Sequence, residues 1–168
     1  MTSPIYTYSI PIYTRGLANL DDILVKAAAW TVSRKIDPSA ILLARLAPDM
    51  FTFTKQVQIA CDMVKNGCSR LAGIEAPKFE DKETSFDDLR TRIAMTVAHI
   101  ETLKPEQFVE AATRDISFPV AGQTMNFKGD VYLATWVSPN FYFHCTMAYA
   151  LLRHNGLELG KRDFLGAR

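Results

Sequence analysis

An all-α fold, a bundle of four long helices with one small β-hairpin ahead of the last, is predicted by three features of this sequence. Apolar residues recur at helical spacing over four long stretches. One stretch, between Arg114 and Gly129, alternates instead. Pro11, Pro38 and Pro139 fall in the first turns of helical stretches, and Gly73 and Gly156 just beyond the ends of two of them. With 168 residues and no linker or repeat, the whole chain 1–168 reads as one domain. Its 48% apolar and 22% charged residues are a globular mix, which excludes a disordered chain.

The first long helix is predicted over about Pro11–Arg34, because Tyr13, Leu17, Leu20, Leu24 and Ala27 form one stripe. A short helix follows at Pro38–Leu46, with Asp37 as its N-cap and Pro38 in the first turn. The second long helix spans about Asp49–Leu71, with Asp49 as a cap and Gly73 beyond its end. Val57, Cys61, Val64, Cys68 and Leu71 make its buried stripe, and Lys55, Gln58, Asp62, Lys65 and Ser69 a separate polar one, expected in solvent. Glu75–Thr84 reads as an exposed connection.

The third helix spans about Phe86–Leu103. Ser85 caps it, Asp87 and Asp88 complement the dipole, and Leu89, Ile93, Thr96, Ile100 and Leu103 are buried. Pro105 opens a short turn through Ala112. Ile116–Val120 and Thr124–Phe127 form the hairpin around Ala121-Gly122-Gln123. Asp130–Val137 is open to helix or strand and is assigned helix because it leads into the last one. Ser138 as cap and Pro139 in the first turn then start the fourth helix, Asn140–His154, which Asn155-Gly156 ends. That helix is apolar nearly all round, as expected at a bundle centre or a subunit interface.

Nineteen basic against eighteen acidic residues leave +1, too little charge to steer nucleic acid or an anionic membrane. No apolar run reaches the roughly 18 residues of a membrane span, and the N-terminus lacks the pattern of a secretory signal. Three cysteines without framework spacing point to a reducing, cytoplasmic setting. There is no P-loop, dinucleotide glycine fingerprint, HExxH or serine elbow.

Several segments carry a resemblance. They are Arg45-Leu46-Ala47-Pro48-Asp49-Met50-Phe51, Gln56-Val57-Gln58-Ile59-Ala60 and Arg70-Leu71-Ala72-Gly73. To these add Pro139-Asn140-Phe141-Tyr142-Phe143-His144, then Ala148 through Gly156, and Gly160-Lys161 with Asp163-Phe164. Together they resemble the domain-of-unknown-function family nineteen-ninety-three, within the DinB-like metalloenzyme superfamily. The resemblance implies an up-down-down-up four-helix bundle with one long crossover, commonly a homodimer. It also implies a pocket at one end of the bundle. Three histidines hold a divalent metal there, one on the second helix and two, four residues apart, on the fourth. Some members use that metal to activate a small thiol.

The chain has only His99, His144 and His154 to set against that pattern. His144 falls at one fourth-helix position, and its i−4 partner is Asn140, a weak ligand for zinc or nickel. His154 lies about 15 Å further along the helix, too far to share a metal. His99 sits on the flank of the third helix, and the second helix has no histidine. The donors left for zinc or nickel are His144 and the carboxylate of Asp62, whose other reading is a solvated partner of Lys65. The residues expected to border a small-molecule pocket are Asn140, His144 and Gln56, since Gln58 shares its stripe with charges. The alternative is a non-catalytic homodimeric bundle, built on the apolar fourth helix and the aromatic N-terminus. Cys61, Cys68 and Cys145 read as small buried hydrophobes.

Overall fold

Residues 3–166 are described by a computed structural model. One turn, α1 (Pro4–Thr7), leads into α2 (Ile10–Arg34), whose Tyr13, Leu17, Leu20, Leu24 and Ala27 are all buried. Lys35 adopts the left-handed conformation that ends α2. The short helix α3 (Pro38–Leu42) is capped by Asp37, whose Oδ1 accepts from the Ser39 amide at 2.9 Å. It stops at Leu42, four residues short of the predicted Leu46.

The second long helix, α4 (Phe53–Ala72), starts later than expected. Its cap is Thr52 rather than Asp49, with Thr52 Oγ1 accepting from the Lys55 amide at 3.3 Å. Gly73 closes it at φ +75°, where a side chain would be strained. α5 (Phe86–Glu101) is capped by Ser85 as predicted, through the Asp88 amide at 3.0 Å. A 3₁₀ turn (Pro105–Phe108) follows, then strands β1 (Asp115–Val120) and β2 (Gln123–Lys128). They pair antiparallel, Ile116 opposite Phe127, around the two-residue turn Ala121-Gly122. Both turn residues have positive φ, +48° and +81°, the twist that suits a tight hairpin.

Asp130–Val137 is helical, but in two styles: α6 (Gly129–Tyr132), then one π-type turn over Leu133–Val137. The chain continues without a break into α7 (Ser138–His154). Ser138 therefore has helical angles, φ −64° and ψ −47°, and does not act as a cap. Its hydroxyl instead meets that of Tyr13 at 2.7 Å. Pro139 lacks an N–H, so the helical ladder loses a donor at this point, where the backbone has widened. A last turn, α8 (Lys161–Leu165), folds back onto α2.

Side-chain pairs give the helix directions. Asp62 meets Arg92, and Ser69 meets His99, so α4 and α5 advance together and run parallel. Gln56 meets His144 while Gly67 faces Val137, so α4 and α7 run antiparallel. Tyr13 meets Ser138 and Gly16 faces Phe141, which makes α2 and α7 parallel. This is the up-down-down-up bundle, and the parallel pair α4–α5 requires the long crossover between Gly73 and Ser85. Gly67 permits its close contact: a Cβ there would sit 2.6 Å from Val137 Cγ1.

The polar stripe of α4 does not face solvent. Gln58 and Lys65 are buried because the crossover lies across them, and Ser69 is buried against His99 of α5. Arg92 of α5, only 2% exposed, anchors this strap. Its guanidinium reaches Asp62 and Asp81 at 3.0 Å and Glu83 at 2.8 Å, and donates to the Glu80 carbonyl at 3.1 Å. Gln58 donates to Glu83 at 2.7 Å, and the Lys65 ammonium lies 4.3 Å from the Phe79 ring centre. Buried charges persist only when paired, and here three carboxylates surround one arginine. The fourth long helix is not enclosed on every side as a bundle-centre helix would be, since Tyr142 and Phe143 are exposed.

Candidate functional site

His144 points from α7 toward the first turn of α4. Its Nδ1 lies 2.7 Å from Gln56 Oε1, joining two residues the sequence singled out. A carboxamide oxygen can only accept, so Nδ1 carries the proton and donates. The other end of the Gln56 amide donates to the Phe51 carbonyl at 3.4 Å, which orients it with Oε1 toward the ring. The imidazole is thereby held as one tautomer, with the lone pair on Nε2.

Nε2 has no hydrogen-bond partner among the described residues, yet it is not among the sealed unpartnered atoms. The ring is 7% exposed, and Phe143 stands edge-on to it, centre to centre 5.2 Å. Burial pushes its pKa down to about 4, so the ring is neutral at physiological pH. It is thus a fixed, uncharged acceptor at the surface of the core. None of the four described clefts is lined by His144.

Asn140 does not join this pair. Its Nδ2 donates to the Trp136 carbonyl at 2.7 Å, on the π-type turn just before α7. One turn from His144 is the right spacing for a shared ligand, but this amide serves its own backbone. Asp62 is also elsewhere. Six residues beyond Gln56, it projects about 120° away around α4 and about 9 Å along it. There it pairs with Lys65 at 3.1 Å, as one reading expected, and with Arg92.

His99 lies on its helix flank, half-buried, with Nε2 2.7 Å from Ser69 Oγ. Ser69 Oγ already donates to the Lys65 carbonyl, so His99 supplies the proton between them. Burial, then Lys65, lowers the pKa of His99. Ser69 is fully buried, so this pair is structural and not a nucleophile with its base. His154 is exposed in the last turn of α7. The three cysteines are buried and unlinked, as expected, and burial pushes the Cys61 thiol up to about 12. None is a thiolate at neutral pH.

The donor chemistry does not suit a divalent metal. Among the described residues no group of three His, Cys, Asp or Glu side chains is arranged to hold a metal ion; the carboxylates of Asp62, Asp81 and Glu83 gather on Arg92 instead. His144 is oriented as a metal ligand often is, with one ring nitrogen held and the other open, but it stands alone. Its neighbour Gln56 offers an amide oxygen already bonded to the ring.

Sequence reading missed Arg92, the most consequential polar residue of the fold. A signal was present: Leu89, Arg92, Ile93 and Thr96 fall at i, i+3, i+4 and i+7, so an arginine stands in a buried stripe.

Comparison with known proteins adds family and fold. The model of the family described as "Domain of unknown function (DUF1993)" matches residues 5–165. A solved structure described as a DinB family member protein, from Shewanella denitrificans, is 42% identical. It superposes with a TM-score of 0.92, covering 97% of this chain and 92% of that one. No curated protein matches. Among the described residues no helix is long and apolar enough to cross a membrane. With nearly the whole chain matched, and the bundle shared with a DinB family member, the chain belongs to the DUF1993 family and has the DinB-like fold.

Proposed function

We propose that this protein binds a small molecule without a metal, through a hydrogen bond to Nε2 of His144. The observation that supports this reading is the 2.7 Å bond between His144 Nδ1 and Gln56 Oε1, which leaves Nε2 as an acceptor. The matching ligand carries a neutral donor, such as a hydroxyl, thiol or amide, at its end. An imidazole held neutral by burial favours such a donor over a cation or a metal. Phe143, exposed beside the ring, offers an apolar contact to the rest of the molecule.

The test follows the ring nitrogens by ¹⁵N NMR during titration with zinc, nickel and 2-mercaptoethanol. The wild-type chain is expected to keep no metal through desalting, while the thiol shifts the Nε2 signal saturably. The double variant Gln56→His with Asn140→His, which places imidazoles one turn and one helix away from His144, is expected to retain roughly one equivalent of metal. Retention of zinc or nickel by the wild type, or an Nε2 signal unmoved by the thiol, overturns the reading.

Self-association as a homodimer is a second reading, favoured by the exposed Tyr142 and Phe143 side by side on α7. Light scattering at micromolar concentration is expected to give twice the chain mass, and a strict monomer removes it.

A further inference from the structure

Helix α8 borders a cleft among the described residues. α8 is held against α2 by the Lys26–Asp163 ion pair and by two side chains of α2. Arg15 Nη2 donates to the Leu165 carbonyl at 3.1 Å, and Asn19 Nδ2 to the Phe164 carbonyl at 3.2 Å. Between α8, α2 and α7 lies a cavity of about 250 Å³. Buried Leu20, Ile23, Phe141 and Cys145 are among its walls.

Two features say what kind of molecule suits it. Gly16 lines the cavity, and a Cβ there would come within 2.8 Å of the Phe141 ring, so the missing side chain sets the shape of this wall. Arg15, Asn19 and Tyr142 supply the polar side chains of the lining, and the Asn19 amide already donates to the Phe164 carbonyl. Arg15 is exposed and forms no ion pair among the described residues, although Arg90 and Arg92 both do. One of its N–H groups serves Leu165, which leaves the rest of the guanidinium fork for an acceptor. The Tyr142 hydroxyl has no partner among the described residues either.

We propose that this cleft binds a short amphiphilic carboxylate, with its hydrocarbon chain among Leu20, Ile23 and Phe141 and its head on Arg15. An apolar concavity with a few polar groups is the usual form of a small-ligand site. Its size is near the lower end of such sites, which suits a single chain of about eight carbons and excludes a nucleotide. A planar guanidinium fork matches a carboxylate better than it matches a hydroxyl. The cleft lies on the α2 side of α7, lined by Cys145 and not by His144, so this inference stands apart from the His144 reading.

The test uses the full chain with ¹³C-labelled methyl groups, titrated with octanoate and, separately, octan-1-ol. Octanoate is expected to shift the methyls of Leu20 and Ile23 saturably. Arg15→Gln is expected to weaken octanoate by about tenfold or more while leaving octan-1-ol unchanged, because only the charged head loses its partner. Arg15 is on the surface, and in this variant the Lys26–Asp163 ion pair and the Asn19 bond to Phe164 still hold α8, which the unchanged binding of octan-1-ol verifies. The His144→Gln variant is expected to bind octanoate as the wild type does. The proposal is overturned by the absence of saturable shifts at Leu20 and Ile23. It is equally overturned if Arg15→Gln leaves octanoate affinity unaltered.

Discussion

Arg92→Ala is expected to destabilise the protein by about 3–5 kcal/mol, the cost of removing one partner from a buried ionic cluster. Among the described residues the guanidinium is the only group that touches Asp62, Asp81 and Glu83 together. Without it, three carboxylates face one another beneath the crossover, with Lys65 and Lys55 placed only at the edges. Their repulsion is relieved by protonation or by lifting the strap, and both weaken the contact between α4 and α5. Lysine at 92 restores charge but not the forked geometry, so Arg92→Lys should recover only part of the loss. Urea unfolding midpoints measure this. At roughly 2–4 °C per kcal/mol for a chain of this size, the melting temperature of Arg92→Ala should fall by about 6–20 °C. A loss below about 1 kcal/mol would mean that the cluster behaves as exposed ion pairs do.

Acid should weaken the native state through His144 well before its carboxylates are titrated. The ring is neutral when folded, with a pKa near 4, against 6.5 for a free imidazole. Between these values the unfolded chain binds the proton and the native one does not. Stability is therefore complete above pH 6.5 and is lost as the pH falls through this window toward 4. The full loss is about 3 kcal/mol. His99, whose pKa is also lowered, adds to the same slope. In His144→Gln the slope should flatten to the part that His99 contributes. Chemical denaturation at a series of pH values measures both proteins. Identical slopes for wild type and variant would show that His144 titrates like an exposed histidine.

The burial that gives this acid sensitivity also bears on the binding proposed at Nε2. A neutral His144 can accept a hydrogen bond at Nε2, and a protonated one cannot. Ligand binding at the ring and native stability should thus fall together on acidification.

Much of the fold could be read locally. The stripes Tyr13–Ala27, Val57–Leu71 and Leu89–Ile100 are buried because a helix puts residues three and four apart on one face. The Asp37 and Ser85 caps and the Gly73 stop are equally local, each depending on a few consecutive residues. Thr52 took the place of Asp49 because the backbone between them forms turns before α4 begins. Ser138 lost its cap role for the opposite reason: the residues before it are already helical.

The site was legible only in part. Position 56 could be paired with 144 by asking which glutamine lies off the charged stripe, and the two side chains do meet. Asn140 kept the predicted spacing but bonds to Trp136, since a neighbouring carbonyl is nearer than any partner across the bundle.

By itself, then, the sequence determined that four long helices and a hairpin form, and which face of each is apolar, because those properties depend on near neighbours. Only the tertiary structure decided that a polar stripe lies under a strap, that Arg92 holds it, and that His144 is neutral with one nitrogen open. The burial of a polar group and its partner depend on chain segments distant in sequence, and periodicity along one helix carries no record of them.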